Sequence, residues 1–77
     1  MELMRKVLQD YCTKKEHDLK EASRGLKIYF NLKLATQVDI LFLVECAKKY
    51  GWNFYISVDF NGAVYALVYE PILPSAA

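Results

Sequence analysis

The sequence predicts an α+β fold: a two-layer sandwich of element order α-β-α-β-β, with a three-stranded mixed sheet and both helices on one face. Three observations carry this. Leu26 to Leu34 alternates apolar and polar residues with period two, as in a half-buried strand. Asn61-Gly62 separates two β-rich runs, Trp52 to Phe60 and Ala63 to Tyr69. That dipeptide signals a hairpin, because a two-residue type I′ turn needs φ > 0 at both positions. The third observation is a pair of apolar stripes at helical spacing, one before the first strand and one after it.

Residues 1–24 read as the first helix. Met4, Val7, Leu8, Tyr11 and Cys12 form its stripe, and Leu19 and Ala22 extend it beyond Lys15. Asp10/Lys14 and Glu16/Lys20 are favourable i,i+4 pairs. Gly25 serves as the stop, and a break near Thr13 is the alternative. The strand over 26–34 puts Leu26, Ile28, Phe30, Leu32 and Leu34 on one side. Lys27, Tyr29, Asn31 and Lys33 fall on the other.

Thr36, with Asp39 three residues later, is a capping box that opens a second helix running to Tyr50 and ending at Gly51. Only Gln37, Asp39, Glu45, Lys48 and Lys49 are polar in that helix, so it needs cover on more than one side. A two-residue turn at Asn61-Gly62 sets Phe60 opposite Ala63, Val58 opposite Tyr65 and Ile56 opposite Leu67. Tyr65, Leu67 and Tyr69 then join the core face, and Val64, Ala66 and Val68 face outward. The last strand, apolar on both faces, belongs in the middle, antiparallel to its two neighbours. Residues 1–70 form one domain, and Pro71 starts a loose tail over 71–77.

A 77-residue chain that is 55% hydrophobic has little interior in which to hide its apolar residues, so a homo-oligomer, most simply a dimer, is expected. The formal net charge of +1 argues against a strongly electrostatic partner surface. Cys12 and Cys46 lack C-x-x-C spacing and read as buried helical thiols in a reducing compartment. No apolar run approaches the ~18 residues of a membrane span, and no targeting segment follows Met1, so a cytoplasmic location is expected.

Chemistry is hard to find. His17 is the only histidine, flanked by Glu16 and Asp18, and reads as a solvated surface residue. The carboxylates do not converge at metal-ligand spacing, the three glycines sit at turns or stops, and no nucleophile has a companion base. Asp59 precedes the turn as a local acceptor, and Asp39 suits a helix start. No catalytic residue, metal or cofactor is assigned, and enzyme is the least supported class.

What remains is the sheet face that no helix covers. In the expected register it carries Tyr55, Val64, Ala66 and Val68, with Tyr29 at its edge. The first reading is a protein-interaction module, a homodimer or a complex with another protein, associating through those five residues. The alternative is a single-stranded nucleic-acid binder. Bases would stack on Tyr29 and Tyr55 while Lys27 and Lys33 hold phosphates. A membrane partner is not expected.

Overall fold

The computed structural model describes residues 2–71. Residues 72–77 of the expected tail lie outside the described residues. The elements are α1 (Glu2–Lys15), β1 (Asp18–Glu21), β2 (Leu26–Tyr29), α2 (Gln37–Tyr50), β3 (Asn53–Val58) and β4 (Val64–Tyr69). The fold is α+β, and β4 lies antiparallel between β2 and β3, as its two-sided apolar character requires. The sheet has four strands rather than three, in the order β1-β2-β4-β3, with every neighbouring pair antiparallel.

The extra strand comes from the first expected helix, which stops at Lys15 instead of reaching Gly25. Glu16 takes a left-handed conformation (φ 58°), and the His17 N–H donates to the Cys12 carbonyl at 2.9 Å. The chain then returns as β1, with Leu19 opposite Ile28. Gly25 closes that hairpin and is no helix stop. A β-carbon there would lie 2.0 Å from the Val68 carbonyl oxygen, so only glycine lets β4 approach this closely.

The strand expected over 26–34 ends at Tyr29. Asn31 diverts it: its carbonyl accepts the Leu34 and Ala35 N–H groups, and its side-chain oxygen accepts the Lys33 N–H at 3.2 Å. The capping box at Thr36 and Asp39 is present, and Gly51 closes α2 in the left-handed conformation (φ 75°).

The β3–β4 hairpin forms, but its register differs by one residue. The loop is Phe60-Asn61-Gly62, three residues rather than two. Asp59 N–H donates to the Ala63 carbonyl, and Asp59 Oδ1 accepts the N–H groups of Asn61 and Ala63 at 2.9 and 3.0 Å. Gly62 supplies the positive φ (85°) that such a loop needs at its end. Ile56 therefore pairs with Ala66 and Val58 with Val64. One residue of slip turns every β4 side chain to the opposite face.

Both helices lie on one side of the sheet. Met4, Leu8 and Cys12 of α1 and Leu43 and Cys46 of α2 make one buried cluster with Leu26, Ile28, Ala66, Val68 and Trp52. Ala66 and Val68, expected on the outer face, are thus core residues.

Candidate interaction surfaces

The open face of the sheet is built in rows. Asp18, Tyr29, Tyr65 and Ser57 lie side by side on four strands, followed by Lys20, Lys27, Leu67 and Tyr55. Tyr69 and Asn53 begin a third row. Tyr29, Tyr55 and Lys27 stand where the alternation placed them. Lys33 has left the sheet for the turn after Asn31. Val64, Ala66 and Val68 belong to the helix side, so the five-residue outer interface expected from the sequence is not assembled there. In their place stand Tyr65, Leu67 and Tyr69, which a two-residue turn would have sent to the core.

This face shelters itself. Tyr29 and Tyr65 rings are 5.5 Å apart, Tyr55 and Tyr69 6.4 Å, and the Lys27 ammonium sits 4.7 Å from the Tyr65 ring centre. Leu67 at their centre is only 6% exposed, although neither helix lies over it. Aromatic and aliphatic neighbours do there what a second layer would do.

The helix side is different. Phe54, Ile56 and Val58 of β3 face the helices, yet Ile56 is 42% exposed and Val58 58% exposed. Two helices do not cover four strands, and the uncovered part lies at the β3 end. Ile40 and Leu32, both exposed, join Ile56, Phe30 and Val64 around a shallow apolar hollow. Phe60 at the hairpin tip is 99% exposed. Alternation along the hairpin puts Ile56, Val58 and Phe60 on the core side. Their exposure is not legible from periodicity, which reports the side of a strand but not what lies above it.

A buried polar network borders this hollow. His17, expected at the surface, is buried, and its Nε2 lies 3.0 Å from Asp39 Oδ1. The Asn31 N–H donates to His17 Nδ1 at 2.9 Å, so the ring proton is on Nε2 and points at Asp39. Tyr11 donates to the same carboxylate oxygen, and the Thr36 N–H donates to the other at 2.8 Å.

Burial by itself works against the Asp39 carboxylate. The hydrogen bonds from Tyr11, Thr36 and His17 outweigh it and hold the carboxyl below its ordinary value. Burial first, then Asp39, pushes the Tyr11 hydroxyl up. Burial likewise raises the Cys12 thiol to about 11. The network ties α1, the start of β1, the Asn31 turn and the α2 N-terminus together. With His17 and Asp39 buried and their polar atoms hydrogen-bonded, it acts as a structural clamp.

Among the described residues, no group of acidic, histidine and cysteine side chains is arranged to hold a metal ion. No helix among them is long and apolar enough to cross a membrane. No protein family, no curated protein and no solved structure matches this chain.

Proposed function

We propose that the protein is a non-enzymatic protein-interaction module whose contact surface lies on the helix side, centred on Ile56 and Val58. One observation supports this above others. Side chains on the core side of β3 stay exposed beside Ile40, Leu32 and Phe60, so the apolar layer is unfinished at that end. Exposed apolar patches of this kind mark contact sites.

The test combines mass with an environment-sensitive naphthalene sulfonate dye. The native protein either binds the dye through the open patch or has a mass above the 8.9 kDa of one chain, because the patch is occupied. A monomer that binds no dye overturns the reading.

A second reading is favoured by a different observation. Four tyrosines share the open face with Lys20 and Lys27, an arrangement suited to stacking unpaired bases. Tyr29→Ala and Tyr55→Ala are then each expected to weaken single-stranded RNA or DNA binding by about 1–3 kcal/mol in fluorescence titrations. Binding should also fall with added salt. Absence of quenching at low salt removes this reading.

A further inference from the structure

We propose that the occupant of the β3 surface is a second copy of this chain, paired strand to strand through β3 so that two four-stranded sheets become one of eight. This rests on the reading above and names its partner. The two edges of the sheet carry the first argument. β1 is Asp18-Leu-Lys-Glu21, three charges in four residues, the usual protection of an edge strand. β3 is Asn53-Phe-Tyr-Ile-Ser-Val58, with no charge, proline or glycine, and among the described residues no strand pairs with its outer side.

The hydrogen-bond phase identifies the groups that are open. Asp59 N–H bonds across to Ala63 of the partner strand, so Ser57, Tyr55 and Asn53, in step with it, turn their backbone toward β4. The N–H and C=O groups of Phe54, Ile56 and Val58 point outward. A two-fold axis at Ile56 pairs Ile56 with its own copy and Phe54 with Val58 in both directions, all apolar on apolar. A self-complementary patch of this kind is what a closed dimer requires.

Area and charge agree. Ile56, Val58 and Phe60 are 42%, 58% and 99% exposed, and with the strand backbone and Tyr55 they supply surface along the β3 edge toward the ~800 Å² per partner of a standard interface. A net charge of +1 opposes association little. Pairing also sets the Tyr55 and Ser57 positions of the two copies side by side on the open face.

Sedimentation equilibrium over a range of concentrations, with amide hydrogen exchange read at single residues, tests this. The expected result is a mass of two chains, with slow exchange at the Phe54, Ile56 and Val58 amides that speeds up on dilution. Val58→Lys is expected to weaken the dimer by about tenfold or more while leaving the circular dichroism of a folded chain. Because Val58 is already mostly exposed, folding should survive, and the exchange pattern of the unmodified protein stands as an independent readout. A dimer whose three amides exchange freely overturns strand pairing. A monomer that binds the apolar dye overturns the second copy and leaves the interaction reading standing; a monomer that binds none overturns both.

Discussion

The two faces of this sheet solve the same problem differently. The open face has no layer above it, yet Leu67 is hidden because Tyr65, Tyr69, Tyr29 and Lys27 have enough length to lie across one another. The helix face has a layer above it, yet Ile56 and Val58 remain wet because α1 packs over β1 and β2, and α2 leaves the far end of β3 uncovered. Cover is thus a matter of side-chain reach as much as of architecture. The face with the less complete burial is the one built from short, branched residues at an edge.

Val68 and Val58 sharpen this comparison most. They are the same residue on the same side of the sheet, at 1% and 58% exposure. Val68→Lys is expected to cost about 3–5 kcal/mol, since it leaves an unpaired charge in the core. Val58→Lys should change the stability of the folded monomer by no more than about 0.5 kcal/mol. Urea denaturation of the two variants reads the difference directly, and equal losses break the comparison.

Asp39→Asn comes next, at the border between the filled and unfilled parts of the helix face. Three donors converge on this carboxylate, so an amide nitrogen in place of one oxygen meets a donor. A cost of about 1–3 kcal/mol at neutral pH is expected. Because the native carboxyl is held low, its contribution is complete above the unfolded value and disappears as pH falls through the lower native one. Denaturation curves between about pH 2 and pH 5 should therefore show a shallower acid loss in the variant than in the parent.

A smaller loss than that of Asp39→Asn belongs to the open face. Tyr65→Leu keeps an apolar body but gives up the Tyr29 ring contact and the Lys27 cation–π contact. A loss of about 0.5–1 kcal/mol is expected in thermal or urea unfolding. A loss as large as that of Val68→Lys means that the open face is a core of its own.

Much of the architecture was legible beforehand. The Thr36 and Asp39 box, the α2 span to Gly51, the hairpin and the central place of β4 all follow from local pattern. β1 was not, because a charged run with i,i+4 pairs resembles a helix until His17 finds Asp39 across 22 residues. Nor was the hairpin register. The readable clue was Asp59 itself, placed to accept two N–H groups and so to favour a three-residue loop over a two-residue one. Of the candidate site residues, Tyr29, Tyr55 and Lys27 stand where alternation put them. Val64, Ala66 and Val68 were moved by that single residue of slip.

By itself the sequence determined the fold class, the second helix with both its ends, and the strand that had to lie in the middle. Caps, turns and periodicity are short-range, and each acts within a few residues of its cause. Only the tertiary structure decided where α1 ends, which side of β4 meets the helices, and which apolar side chains are left exposed. Those outcomes depend on partners distant in the chain: Asp39 for His17, the Val68 carbonyl for Gly25, and the finite width of two helices laid over four strands.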